Sequence, residues 1–197
     1  VARYPLMYFA RHGQTDWNVS KRIQGQAERD ITEQGRAEAD RNGRKLKELI
    51  GKAEGFAFVA SPLRRTCETM ERIRTAMGLD PKAYSTDLQL MELNFGDWQG
   101  FTEEEIKTKE PARIAYRLAD KWNFVPPGSG AESYAMLARR ISHWVEAVTQ
   151  KTVCVTHGGC LRSIFYLYGG LSEKEAANIS IPQDRILCFE HGGLVWL

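Results

Sequence analysis

The chain has 197 residues, 43% hydrophobic and 26% charged, enough for one domain with a sizeable core and typical of a water-soluble globular fold. Its 27 basic and 25 acidic residues leave a formal net charge of only +2, which argues against a nucleic-acid or membrane-surface binder, where basic residues dominate and cluster. No apolar run approaches the ~18 residues that span a bilayer, and Val1 to Ala10 lacks a signal-peptide cleavage pattern, so the expectation is a soluble, cytoplasmic protein.

Leu6 to Ala10 is a short continuous apolar run that leads at once into a polar, glycine-containing loop, as expected for a strand buried on both faces. Thr32 reads as the N-cap of a helix ending near Gly51. Phe56 to Ala60 is a second strand-like run. Ser61-Pro62 then reads as N-cap and first turn of a helix carrying Leu63, Cys67, Met70, Ile73 and Met77 on one face, stopped by Gly78 and Pro81. Residues 84–91 read as extended. Thr102 with Glu105 makes a capping box, for a helix interrupted at Pro111 and resumed to Asp120. After the loop at Pro126-Pro127-Gly128, Tyr134, Leu137, Ala138, Ile141, Val145 and Val148 recur at helical spacing. Thr152 to Thr156 is a β-branched strand and Leu161 to Tyr168 an apolar helix. The end reads as a hairpin, Ile186 to Glu190 and Leu194 to Leu197, around Gly192-Gly193.

Strands alternating with helices predict an α/β fold: a three-layer α/β/α sandwich, its central sheet mainly parallel with a C-terminal antiparallel hairpin. No repeat or long linker divides the chain, so 1–197 reads as a single domain. The four cysteines contain no C-x-x-C pair, and a chain with its own core needs no disulfide framework. Cys154, His157 and Cys160 lie at three-residue intervals, the spacing of a zinc cluster, but no second ligand pair accompanies them. Cys154, between Val153 and Val155, reads as a small buried hydrophobe.

Ligands of such sheets bind beyond the carboxyl ends of strands, which directs attention to the residues just past each strand end. These segments are Arg11-His12-Gly13 through Asn18, Ser61 to Thr66, Glu92 to Gly96, and Thr156-His157-Gly158-Gly159. Two histidines, several arginines and one carboxylate thus reach one rim. That inventory suits phosphoryl transfer: cations for the equatorial oxygens, an imidazole to attack in line, a carboxyl to manage a proton. His143 and His191 stand outside these segments and read as structural or exposed. Arg64 and the pair Arg139-Arg140 read as solvated helix faces.

Over nearly its whole length the chain resembles the histidine phosphatase superfamily, the phosphoglycerate mutase-like family. The resemblance rests on R-H-G at Arg11-His12-Gly13, continuing through Asn18 to Gln24-Gly25 and Thr32; on S-x-x-x-R-[AT] at Ser61 to Thr66; on Glu92, Gly96 and Gly100; and on H-G-G at His157 to Gly159. It implies that His12 is the nucleophile, forming a phosphohistidine, and that Arg11, Arg65 and His157 with the Asn18 amide form the phosphate pocket. Gln24, Gly25 and Gly158 border that pocket in the resemblance. Arginine suits it, being planar, bidentate and permanently charged. Glu92 is the implied general acid and base, favoured in its acid form by the bound dianion. The resemblance implies no cofactor and no metal, a small phosphorylated substrate, and residues 92–133 as a cap-like insertion; it leaves a homo-oligomer open.

Two loops depart from the family pattern. Asp30 replaces the usual proline between Gly25 and Thr32, with Glu28 for the preceding Asp, and the G-G-E-S segment becomes Gly128 to Ser133 with extra residues. Both border the substrate pocket in the family, so substrate identity stays open. Arg113, Arg117, Lys121 and Glu132 are candidates for reading the rest of the substrate, and Trp17, Trp98 or Trp122 for lining its entrance. A cofactor-dependent phosphoglycerate mutase is the nearest rival. The 65-residue interval from Glu92 to His157 resembles the shorter phosphatase branch. A non-catalytic phospho-ligand binding module is the alternative of another class, which loss of His12 or Glu92 would have marked.

Overall fold

The computed structural model describes residues 4–197; residues 1–3, the start of the Val1 to Ala10 stretch considered for a signal peptide, lie outside it. Strand β1 (Met7–Arg11) is apolar on both sides. Met7 and Phe9 pack into one core cluster, and Tyr8 and Ala10 into another, the two-residue alternation of a central strand. Its neighbours are β4 (Thr152–Thr156), parallel, and β5 (Leu187–Glu190), antiparallel. With β2 (Ala57–Ala60), β3 (Ser85–Thr86) and β6 (Gly193–Trp196) the sheet has the order β3-β2-β4-β1-β5-β6. The first four strands run parallel, and β5 and β6 form the antiparallel hairpin. Its turn falls at His191-Gly192, both at positive φ (52° and 81°), the backbone of a tight two-residue hairpin turn.

Among the described residues there are eight α-helices, in chain order α1 (Asp16–Val19), α2 (Glu33–Ile50), α3 (Arg64–Met77), α4 (Glu103–Lys109), α5 (Pro111–Ala119), α6 (Tyr134–Ala147), α7 (Gly158–Tyr168) and α8 (Glu173–Asn178). Leu46 of α2 and Met70, Ile73 and Met77 of α3 cover the Tyr8/Ala10 face. Residues of α6, α7 and α8 cover the Met7/Phe9 face. The result is a three-layer α/β/α sandwich. Trp98, Ile106 and Ile114 form a third, separate cluster with Phe95, Phe101 and Phe124 around α4 and α5. Among the described residues no helix is long and apolar enough to cross a membrane.

Register fixes where the site must be. Arg11 pairs with Thr156, and Ala60 with Val155, so β1, β4 and β2 end level and release His12, His157 and Ser61 from one edge. The Thr32 cap and the Thr102–Glu105 capping box form as expected. Two local expectations do not hold. Helix α3 starts at Arg64, with Leu63 at the cap position and no side-chain capping bond, because Ser61 is engaged elsewhere: its hydroxyl meets His157 and its carbonyl accepts from Thr66 Oγ1 at 2.8 Å. The free Arg64 N–H is instead capped from a distance by Glu28 Oε2 at 2.9 Å. Residues 84–91 are extended only at Ser85–Thr86; Asp87 then caps a 3-10 turn over Leu88–Leu90.

The α2–α3 crossing is close because of Gly43. A Cβ there would lie 2.6 Å from both Ala76 Cβ and the Ile73 carbonyl oxygen. Alanine would gain ~1 kcal/mol of helix propensity but meets a backbone that cannot yield cheaply. Gly43→Ala is expected to lose roughly 1–2 kcal/mol net, seen as a lower urea midpoint with unchanged m value. A raised midpoint would show that the helices part without cost.

Candidate active site

The site begins with the backbone. His12 N donates to the Thr156 carbonyl at 3.0 Å and Ser61 N to that of Val155 at 3.0 Å, so each strand's ladder extends one residue into the pocket. Gly13 comes next after His12, its N–H on Thr69 Oγ1 at 3.0 Å. A Cβ on Gly13 would fall 2.3 Å from the Gly35 carbonyl oxygen of α2, so only glycine fits this backbone contact.

His12 is 2% exposed. Its Nδ1 lies 2.8 Å from the Gly13 carbonyl, which can only accept, so Nδ1 carries the proton of the neutral ring and Nε2 keeps its lone pair. Burial, then the Arg65 and Arg11 charges, hold His12 well below the usual imidazole value, against the opposing pull of its Gly13 bond. The His157 ring stands 5.3 Å away, centroid to centroid, inclined by 58°. His157 is fully buried, with Nε2 2.7 Å from Ser61 Oγ. Burial, then Arg65, His12, Arg11 and Arg140, pushes it in the same direction.

Arg65 is also fully buried, its Nη1 donating to Ala27 O at 2.8 Å and Nη2 to Gly25 O at 2.7 Å. Arg11 Nη1 donates to Ile181 O at 2.8 Å. Neither guanidinium forms an ion pair with a described residue; backbone carbonyls hold both. Burial accordingly lowers Arg11 to about 10 and lowers Arg65, with the Glu92 charge opposing in each case. Among the described residues four buried side-chain polar atoms lack a hydrogen-bond partner: Arg11 Nε, Arg65 Nε, His157 Nδ1 and Tyr168 OH. Three of the four belong to this one cluster. Buried polar groups are normally satisfied, so three orphaned nitrogens in one place mark where an oxygen-rich ligand fits.

Glu92 faces the cluster from the opposite loop. Its Oε1 accepts from Leu93 N at 2.8 Å and Oε2 from Gly159 N at 3.0 Å. A Cβ on Gly159 would lie 2.2 Å from Glu92 Oε1, so any side chain there would displace the carboxylate. A Cβ on Gly158 would stand 3.4 Å from Arg11 Nε. Asn18 Oδ1 accepts from Thr15 N at 2.9 Å and Gln183 Nε2 at 3.1 Å, which turns the amide so that Nδ2 stays a donor for a ligand. Gln24 Oε1 accepts from Thr15 Oγ1 at 2.8 Å and so supports this loop from behind.

Several side chains have duties other than those expected. Arg140 is not a solvated face: it chelates Glu132, at 2.8 Å to Oε2, and donates through Nη1 to Gln89 O at 2.7 Å and Met91 O at 2.8 Å. Glu132 Oε2 in turn accepts from Asn94 N at 3.0 Å, so this pair clamps both flanks of Glu92. Arg117 is paired with Glu103 at 3.1 Å and Arg113 with Glu110 at 2.9 Å. Trp98 stacks on Phe124, and Trp122 on Tyr134; both are buried packing residues. Trp17 is half-exposed beneath Arg29. Arg64, Arg139, His143 and His191 are exposed. Cys154 is buried in the core, and among the described residues no group of three or more His, Cys, Asp and Glu side chains could hold a metal ion.

Sequence reasoning missed Ser61 as the partner of His157, although it begins a quoted motif, because Ser-Pro before an apolar stripe also reads as a helix start. It missed Gln183, whose Nε2 donates to His12 O at 3.0 Å as well as to Asn18. That residue sits in irregular chain without periodicity or motif.

Two imidazoles held neutral make folding pH-dependent. Below the ordinary imidazole value of ~6.5 the unfolded chain binds protons that folded His12 and His157 refuse, so stability falls as pH falls, by up to about 1.4 kcal/mol per pH unit for each ring. Melting measured from pH 7 to 5 is expected to show this slope, reduced in His157→Asn. An unchanged slope in that variant would mean the ring is protonated in the fold.

The Histidine phosphatase superfamily (branch 1) profile matches residues 7–196. A glucosyl-3-phosphoglycerate phosphatase of Mycolicibacterium vanbaalenii is 32% identical over 185 residues, 93% of this chain and 78% of that protein. A 2,3-bisphosphoglycerate-dependent phosphoglycerate mutase of Afipia carboxidovorans is 30% identical over 178 residues, covering 86% and 83%. Among solved structures, a mycobacterial glucosyl-3-phosphoglycerate phosphatase in complex with VO3 superposes with a TM-score of 0.74 at 27% identity, over 98% of this chain and 95% of that one. An alpha-ribazole phosphatase from Shigella flexneri shares the fold, with a TM-score of 0.80 at 17% identity over 96% and 93%. With the profile running through both core faces and every strand, the chain belongs to the histidine phosphatase superfamily.

Proposed function

We propose that the protein is a phosphomonoesterase that passes the phosphoryl group of a small substrate to His12 and then to water, without a metal or cofactor. The observation that carries this reading is the set of three buried, unpartnered nitrogens, Arg11 Nε, Arg65 Nε and His157 Nδ1, beside a neutral imidazole whose free lone pair is on Nε2. Nitrogen donors fixed before the ligand arrives stabilise charge on transferring oxygens without reorganisation. With Ser61 Oγ–H donating to its Nε2, His157 is a neutral Nδ1–H donor.

In the first step His12 Nε2 forms a bond to phosphorus, the ester P–O bond breaks, and Glu92 gives its proton to the leaving oxygen. In the second, water attacks phosphorus, the P–N bond breaks, and Glu92 takes the water proton. Arg11, Arg65, His157 and the Asn18 amide hold the equatorial oxygens throughout. The 65-residue interval from Glu92 to His157, the shorter form in the resemblance, supports water as acceptor. Overall length does not separate the two activities, since the mutase is matched over 83% of its own length.

A phosphomonoester panel assayed with chelator present tests the reading. Turnover is expected to persist in chelator and to vanish in His12→Ala, while Glu92→Gln loses roughly 10²–10⁴-fold in kcat. Base-quenched wild type is expected to carry an acid-labile phosphoryl group that His12→Ala lacks. Loss of activity on chelation would overturn the metal-free chemistry. Efficient 3-phosphoglycerate isomerisation primed by bisphosphoglycerate would assign the mutase instead, and phosphate binding with no turnover a binding module.

A further inference from the structure

Edge strand β3 is only two residues long and pairs with Val59 and Ala60 of β2. The first half of β2, Ala57 and Phe58, therefore has β4 on one side and no strand on the other. A cavity of about 480 Å³ opens there, within the ~300–1,000 Å³ of small-molecule sites. It lies at the opposite end of β2 from Ser61. Ala57 and Ser61 are separated by roughly 13 Å of strand, so this hollow is distinct from the His12 pocket.

The walls carry three cations, Lys52, Arg74 and Lys82, three aromatic rings, Phe56, Phe58 and Tyr84, and no carboxylate. Arg74 is only 6% exposed, yet it forms no ion pair with a described residue. Its Nε donates to Asp80 O at 2.6 Å, and its guanidinium lies over the Phe58 ring, 4.3 Å from the centroid. Arg74 Nη1 and Nη2 have no partner among the described residues and, unlike Arg11 Nε and Arg65 Nε, are not sealed from open space. Burial lowers Arg74, with the Asp80 charge opposing; Asp80 Oδ1 accepts from Lys82 N at 2.9 Å. Lys82 Nζ meets Glu71 Oε1 at 2.6 Å, which also accepts from the Tyr84 hydroxyl at 3.0 Å. Lys52 is exposed, and Lys151 stands over the Phe56 ring, 5.7 Å from the centroid. A buried guanidinium held by one carbonyl and one ring face costs free energy that an anion at its free edge would offset.

We propose that this cavity is a second ligand site, for a small oxyanion carried on a planar apolar body, with Arg74 Nη1 and Nη2 on the oxygens and the Phe56 and Tyr84 rings against the body. The planar fork of arginine matches two oxygens at once, and aromatic walls pack well on a planar group. Lys52 adds an exposed point charge. The site does not depend on the reaction at His12, whose pocket lies past the other end of β2.

Phenylphosphonate is a suitable probe, because it has a C–P bond in place of the ester bond that the His12 reaction breaks. Backbone amide shifts of the full chain read which pocket it enters: residues 56–58 and 83–85 for this cavity, residues 12, 13 and 157–159 for the other. Saturable shifts at the first set are expected, and none with phenol. Arg74→Gln should weaken binding there at least about tenfold, the loss of one charge-assisted contact. Lys52→Gln, at an exposed position, should weaken it about two- to fivefold, and it decides alone if Arg74→Gln does not fold. The second set should respond alike in wild type and both variants. No saturable shift at the first set, an equal response to phenol, or an affinity that neither variant changes would overturn the site. Shifts there that follow protein concentration without any probe would assign the face to a second copy of the chain instead.

Discussion

The structure depends on holding two guanidinium groups inside the protein without giving them carboxylate partners. A buried ion pair would satisfy Arg11 and Arg65, but it would also occupy the donors on which the proposed phosphate binding rests. The chain uses backbone carbonyls instead: Gly25 and Ala27 for Arg65, Ile181 for Arg11. Carbonyl dipoles orient a cation without neutralising it. The positive field therefore survives, and burial first, with that field second, keeps His12 and His157 unprotonated. The loops that reach the sheet edge supply those carbonyls at the right place.

Proton placement has its origin in the same frame. His12 is fixed at Nδ1 by its neighbour's carbonyl and His157 at Nε2 by Ser61. The two rings use opposite nitrogens for support, which leaves His12 a lone pair on Nε2 and His157 an unpartnered Nδ1. Glu92 is anchored by two backbone N–H groups, and the Arg140–Glu132 clamp steadies the chain on each side of it. A misplacement of about 1 Å in such groups is enough to cost large factors in rate.

Much of this was legible in the residues alone. Apolar runs and glycine punctuation located β1, β2, β4 and the closing hairpin, and the rule that ligands sit beyond strand ends brought His12, Arg65 and His157 to one rim. The illegible part involved side chains whose partners are remote in sequence. Arg140 reads as a surface helix residue until Glu132 and the carbonyls of residues 89 and 91 are brought beside it. Ser61 reads as a helix cap until β2 and β4 end level and deliver it to His157. Charge pairing separates Lys121 from Arg113 and Arg117, which composition treats alike. Pattern captures elements; it does not record which distant group satisfies a given polar atom.

The Trp98–Ile106–Ile114 cluster is set apart from the two layers that flank the sheet and shares the half-buried Phe95 with one of them. A change of side-chain volume in it is felt first by its own aromatic lining, Phe101 and Phe124, and meets the sheet-flanking core at Phe95. Mutational drift around α4 and α5 thus works mainly against a small cluster of its own, which offers one mechanical reason why a single fold serves proteins named for different esters.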